Sequence, residues 1–109
     1  MENQRLKQLF LFLEQSAQDS FTLYSIAYEY LQMGALSEAK NYFERLLSFH
    51  PDYLGAYYQL GRCLRLMGLD KEAIAMYQIG IEKAKEKKQQ HTLSELQNAL
   101  MNAEIGEEP

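Results

Sequence analysis

Apolar positions recur at helical spacing along most of this chain. Leu23, Ile26, Ala27 and Tyr30 stand at i, i+3, i+4 and i+7, and Tyr57, Leu60, Gly61 and Leu64 repeat that spacing. Each set places one apolar stripe along one helix face. Gly34 and Gly68 follow the two stripes, where a helix C-terminus favours a left-handed residue, and Ser37 and Asp70 then read as N-caps of the next helices. Pro51 biases His50 away from helical geometry and turns the chain, after which Asp52 reads as the N-cap of a further helix. The pattern therefore predicts pairs of helices joined by short turns, with no alternating stretch that would mark a strand.

Displacing the chain by 34 residues superposes one pair on the other. Tyr24 falls on Tyr58, Ile26 on Leu60, Ala27 on Gly61, Met33 on Met67, Gly34 on Gly68, Glu38 on Glu72, Ala39 on Ala73, Phe43 on Tyr77 and Leu47 on Ile81. Two unrelated amphipathic helices would match apolar with apolar, but not Met-Gly followed by Glu-Ala in both copies. Ala39 and Ala73 are small where paired helices must approach, and Phe43 and Tyr77 fill space one turn later.

These positions resemble the tetratricopeptide repeat family, as found in small bacterial-type domain proteins. Ile26-Ala27 and Leu60-Gly61 match its Leu-Gly pair, Tyr30 its first Tyr, Gly34 and Gly68 its turn, and Ala39, Ala73, Phe43, Tyr77 and Pro51 its second helix and closing turn. Leu23 and Tyr57 replace the commonest Trp, Leu64 replaces the Tyr, Leu46 and Gly80 replace an Ala, and Lys85 replaces the closing Pro. The last substitution predicts a second-repeat helix that runs on through Glu82 to Lys88 without a sharp stop. The resemblance implies an all-α fold: an α-solenoid of antiparallel helical hairpins in a right-handed superhelix, with capping helices at both ends. It also implies that the first helices line a concave groove for a peptide.

The expected organisation is an N-terminal capping helix in 1–19, repeats in 20–53 and 54–87, a C-terminal capping helix in 88–105 and a frayed acidic tail in 106–109. Leu9, Phe12 and Leu13 share the register of Phe43, Leu46 and Leu47, so the leading helix reads as the second half of a truncated repeat. Thr92 with Glu95 reads as a capping box opening a final helix whose apolar side carries Leu93, Leu96, Ala99, Leu100 and Ala103, with Ser94, Gln97, Asn98 and Asn102 opposite. Such a helix closes the apolar end of a stack.

Composition narrows the function. The chain has 109 residues, 47% of them hydrophobic and 24% charged, which fits one ordinary folded domain. A net charge of -4 opposes wrapping of nucleic acid. The apolar run from Leu9 stops at Glu14, short of a membrane span or secretory core, and the free thiol of Cys63 suits a reducing compartment, so the expected location is cytoplasmic. No cofactor, metal or membrane partner is expected, and neither is catalysis. His50 and His91 sit in or beside turns, Cys63 reads as a small packing residue, and no phosphate-loop spacing occurs. Lys83, Lys85, Lys87 and Lys88 alternate with Glu82 and Glu86 and read as a solvated face.

The first helices carry more apolar surface than one packing stripe needs. Phe21, Tyr24, Tyr28 and Leu31 form a second stripe, and Tyr58, Arg62 and Arg65 occupy the matching face of the next repeat, with Gly55 at its start. Tyr and Arg are enriched where proteins bind tightly, since each joins large contact area to a polar end. Together they form a candidate groove for a protein or peptide partner with apolar side chains and a carboxylate, acidic or C-terminal. The bland alternative is that Tyr24 and Tyr58 only pack neighbouring first helices. Family members that grip chaperone C-termini use Lys and Asn where this chain has Tyr24 and Tyr28, so that clamp does not carry over. The competing function is self-association, as a homodimer, through Phe10 and Leu11 or through the groove.

Overall fold

In the computed structural model, which describes residues 3–109, the chain forms six helices and no strands among the described residues. They are α1 (Gln4–Gln15), α2 (Ser20–Gln32), α3 (Leu36–Phe49), α4 (Leu54–Leu66), α5 (Asp70–Glu86) and α6 (Gln90–Glu104). Helix α2 packs against α3, α4 against α5, and α5 against α6, with α3 touching α4 across the repeat junction. Helix α4 also touches α2 on one side and α6 on the other, so that α2, α4 and α6 form one layer. The stack measures 39 × 30 × 19 Å. It is an all-α helical repeat.

Both predicted stripes form the core. Leu23, Ile26, Ala27, Leu60, Gly61 and Leu64 are buried with Ala39, Phe43, Ala73 and Tyr77, while Tyr30 is half-buried beside Phe10 and Tyr42. The paired helices approach most closely at two glycines. A Cβ on Gly61 would lie 2.2 Å from the Tyr77 ring, and one on Gly80 would lie 2.8 Å from Cβ of Tyr57. In the first repeat the equivalents are Ala27 with Phe43 and Leu46 with Leu23, all fully buried. The two repeats thus divide the same space differently: a larger residue on one helix is met by a smaller one on its partner, as close packing requires.

The turns correct several expectations. Gly34 and Gly68 do adopt the left-handed conformation, with φ of 78° and 80°. The Ala35 amide then returns to the Tyr30 carbonyl at 2.9 Å, and the Leu69 amide to the Leu64 carbonyl at 2.8 Å. This closure satisfies the carbonyls of the ending helix and reverses the chain so tightly that the next helix starts at once. Ser37 and Asp70 therefore lie inside α3 and α5, whose N-cap positions are Ala35 and Leu69. Asp52 is likewise not a cap: Tyr53 precedes α4, and the Asp52 carboxylate pairs instead with Lys83 at 3.5 Å and Lys87 at 3.4 Å. Lys87 holds that carboxyl below the ordinary carboxylate range. Thr92 lies within α6, which opens after Gln89, so no capping box forms. Side chains cap only the first two helices among those described, through Asn3 on the Leu6 amide and Asp19 on Thr22.

Helix α5 also stops more sharply than its missing proline suggested. It ends at Glu86, and Lys88 takes the left-handed position with φ of 56°, so that the Gln89 amide reaches the Ala84 carbonyl at 3.0 Å. The same closure occurs here without glycine, at an expected cost of about 1 kcal/mol. Polar contacts tie neighbouring turns together. Nε2 of His50 lies 2.5 Å from the Gln18 carbonyl, and the Tyr57 hydroxyl donates to the Pro51 carbonyl at 2.6 Å.

At the leading end, Leu6, Leu9 and Leu13 face α2, whereas Phe12 is 63% exposed. Phe12 shares the register of the buried Leu46, but the truncated repeat gives α1 no hairpin partner, and its main backbone neighbour is α2 alone, which leaves that flank uncovered. Arg5 pairs with Glu29 at 3.3 Å, and Asn3 donates to the same carboxylate at 3.0 Å, fastening α1 to α2. Phe10 is not an exposed patch residue, since it packs against Tyr30 and Tyr42 at ring separations of 6.5 and 6.1 Å.

Gly61→Ala forces its new methyl into a buried ring, so it is expected to cost about 2 kcal/mol and to lower the melting temperature by roughly 10 °C. In a Tyr77→Leu background the extra cost of Gly61→Ala is expected to shrink below about 1 kcal/mol. Calorimetry of the four proteins checks this, and equal costs in both backgrounds would remove Tyr77 as the cause.

Candidate functional site

The layer formed by α2, α4 and α6 carries the residues singled out from the sequence, but not as one continuous stripe. Leu31 is 5% exposed and belongs to the core, not to a groove. Phe21 is 67% exposed, yet it faces the leading end, where it shares a surface depression with Leu9 and Phe12.

What remains has an aromatic half and a cationic half. In the aromatic half, Tyr24 stacks on Tyr28 with ring centres 6.1 Å apart, lies 5.2 Å from Tyr53 and meets Phe43 edge-on at 5.9 Å. Its ring also covers Gly55 of α4, where a Cβ would sit 3.9 Å away. Tyr24 therefore packs first helices together, as the bland alternative held, while Tyr28 presents more of its ring to solvent. Burial raises the Tyr24 phenol above its ordinary range, partly offset by a hydrogen bond with Gln59 and reinforced by the charge of Glu95.

The cationic half is a cavity of about 130 Å³ lined by Tyr58, Arg62, Arg65, Tyr77, Ala99, Asn102, Glu108 and Pro109. Arg62 and Arg65 lie about one helical turn apart on α4, so their side chains reach the same wall. Arg62 and Tyr58 are half-buried, whereas Arg65 is only 8% exposed. One amino group of Arg65 donates to the backbone carbonyl of Glu107. Its Nε is buried without a hydrogen-bond partner and stands 3.8 Å from Asp70. A buried guanidinium ordinarily fills its donors with carboxylate or phosphate oxygens, so this one is under-supplied.

Sequence reasoning missed Tyr53, Gln59, Glu95, Asn102 and the tail. Asn102 was legible only as part of a polar back on a closing helix; it reaches the cavity because α6 packs beside α4 as a third inner helix. Cys63 is a buried packing residue whose thiol approaches the Leu36 carbonyl at 3.4 Å, and burial pushes that thiol up. His91 is exposed and lies 3.8 Å from Glu95. Lys85 pairs with Glu82 at 3.6 Å, and Lys83 and Lys87 with Asp52, so much of the basic run is engaged within the chain. Among the described residues no helix is long and apolar enough to cross a membrane.

A tetratricopeptide repeat family model matches residues 30–96. The chain belongs to the tetratricopeptide repeat family. The crystal structure of a tetratricopeptide repeat domain protein from Salinibacter ruber is similar to it at 43% identity and a TM-score of 0.74, over 79% of this chain and 97% of that one. A solution structure of a Bordetella parapertussis protein has the same fold, with 22% identity and a TM-score of 0.83 over 97% of this chain and 91% of that one. No curated protein matches the sequence. Tetratricopeptide repeats generally mediate interactions between proteins, and the layer of α2, α4 and α6 in this one carries an aromatic half beside the cavity of Arg62 and Arg65.

The inner wall also contains a titration that stability should report. Burial pushes the Tyr77 phenol up to about 12, against the opposing pull of Arg65 and Arg62. A folded-state pKa above the ordinary value of 10 means that the fold holds this proton more tightly than the unfolded chain does. The contribution is full below pH 10 and is lost as pH rises from 10 to about 12. At roughly 1.4 kcal/mol per unit it amounts to about 2 to 3 kcal/mol. Melting temperatures are expected to fall steeply above pH 10, and Tyr77→Phe to flatten part of that fall; parallel profiles for the two proteins would remove Tyr77 from the transition.

Proposed function

We propose that this protein is a noncatalytic interaction module whose inner layer binds an acidic, partly apolar peptide segment of a partner. The observation that carries this reading is the cavity between α4 and α6, where Arg62 and the under-supplied Arg65 converge beside Tyr58. An Arg pair with an aromatic neighbour suits a carboxylate followed by an apolar side chain, because the planar guanidinium donates two parallel N–H bonds to a carboxylate while the tyrosines offer rigid contact area. Tyr28, at the other end of the layer, extends the apolar contact. The net charge of -4 opposes an acidic peptide at long range, so binding rests on the short-range contacts with Arg62 and Arg65.

The test is an anisotropy titration with a short fluorescein-labelled peptide of alternating leucine and glutamate. Binding is expected to saturate, and Arg62→Ala to weaken it at least tenfold without lowering the melting temperature as a core truncation would. Equal affinity for the variant, or equal affinity for a leucine-lysine peptide, would overturn the reading.

A second reading rests on the leading end, where Leu11 and Phe12 are 60% and 63% exposed and Phe21 adjoins them. Exposed apolar side chains gathered on one helix face favour pairing through α1. If that surface joins two copies, light scattering gives a dimer mass, and Phe12→Glu is expected to convert it to a monomer; a monomer at high micromolar concentration in the parent protein would end this reading.

A further inference from the structure

We infer that the segment Gly106–Pro109 is an internal occupant of the cationic cavity, holding Arg65 until an acidic partner displaces it. This rests on the reading of that cavity as the binding site. The turn that delivers the segment is built. Gly106 adopts φ of 76°, its amide returns to the Ala103 carbonyl at 3.3 Å, and the Glu107 amide returns to the Asn102 carbonyl at 2.9 Å. This is the closure used after α2 and α4, and here it turns the chain back toward α4, where the segment lies exposed along its length with one side against the cavity. Glu108 and Pro109 then line the cavity, and the Glu107 carbonyl accepts from Arg65. The segment expected from the sequence to fray is exposed, with Glu108 and Pro109 at the edge of the site.

The chemistry of the contact marks the segment as displaceable. It offers Arg65 a neutral carbonyl, leaving the buried Nε without a hydrogen bond and Asp70 at 3.8 Å, beyond hydrogen-bonding reach. A carboxylate from a partner makes two charge-assisted bonds with the same group and is the stronger ligand. The segment has the advantage of being tethered, which gives it an effective concentration in the millimolar range. It thus sets a threshold: weak acidic peptides are excluded, and only a partner that combines a carboxylate with apolar contacts displaces it.

Two variants separate release of the segment from a change of charge. Gly106→Val places a β-branched residue at a left-handed position and redirects the segment without altering charge. Glu107→Lys with Glu108→Lys repels it from Arg62 and Arg65, and Glu104→Lys, on the exposed end of α6, controls for the added positive charge. In the full chain, amide relaxation is expected to show Glu107 as ordered as α6, and both release variants are expected to make Glu107 mobile and to bind the leucine-glutamate peptide about tenfold more tightly than the parent. A Glu107 as mobile as a free terminus in the parent would overturn the inference. So would an ordered Glu107 whose release leaves peptide affinity unchanged, or a gain from Glu104→Lys as large as that from the double variant. In these cases an Arg62-dependent titration would still uphold the binding site, whereas loss of that dependence with Glu107 ordered would overturn both.

Discussion

The seating of the Tyr77 ring on the bare backbone of Gly61 is the constraint on which the second repeat depends. It sets how closely α4 and α5 approach, since any Cβ at Gly61 would meet the ring well inside contact distance. The first repeat fills the same place with Ala27 and Phe43, a slightly larger residue against a slightly smaller one. The exchange at Tyr57 and Gly80, against Leu23 and Leu46, follows the same logic with larger steps. What departs from the family pattern at one position is thus matched across the interface, because close-packed interiors conserve volume more strictly than identity.

That helix pair also carries the site. Tyr77 stands in the cavity wall with Tyr58, Arg62 and Arg65, so the ring that spaces α4 from α5 also forms the floor beneath the two arginines. Burial of the phenol and burial of the Arg65 guanidinium are two consequences of one packing arrangement. A charge placed so deep has to find acceptors, and the described residues supply it with a backbone carbonyl and a carboxylate 3.8 Å away. The aromatic half is built differently. There Tyr24 serves the junction of α2 with α4, and Tyr28 reaches outward from that support.

The reversals explain how so short a chain assembles an inner layer of three helices. Four helix ends, after α2, α4, α5 and α6, each place one residue in the left-handed region, three times glycine and once Lys88. The backbone closure that follows satisfies carbonyls without a side-chain cap, which is why the polar residues nearest these turns are free for other work. Asp70, just after the closure of α4, stands beside Arg65 instead of capping α5.

The 34-residue periodicity, the apolar stripes, the glycine turns and the family were legible in the sequence, because a repeat states its packing rule twice and local conformation at glycine is a local property. The buried set around Leu23, Ile26, Phe43, Leu60 and Tyr77 followed from helical spacing alone. Other features depended on neighbours distant in the chain. Whether Phe12 is covered depends on a hairpin partner for α1, and whether Leu31 or Phe21 faces the inner layer depends on how α2 lies against α4. N-caps were misplaced at Ser37, Asp52, Asp70 and Thr92 because capping propensity is local, while the residue at which a helix restarts is decided by the closure of the helix before it. The cationic cavity required α6 and the tail to return to α4, a contact between residues about 40 apart in sequence that no spacing rule announces. Local periodicity determined the elements; the crossing and closure of those elements decided which of their side chains meet.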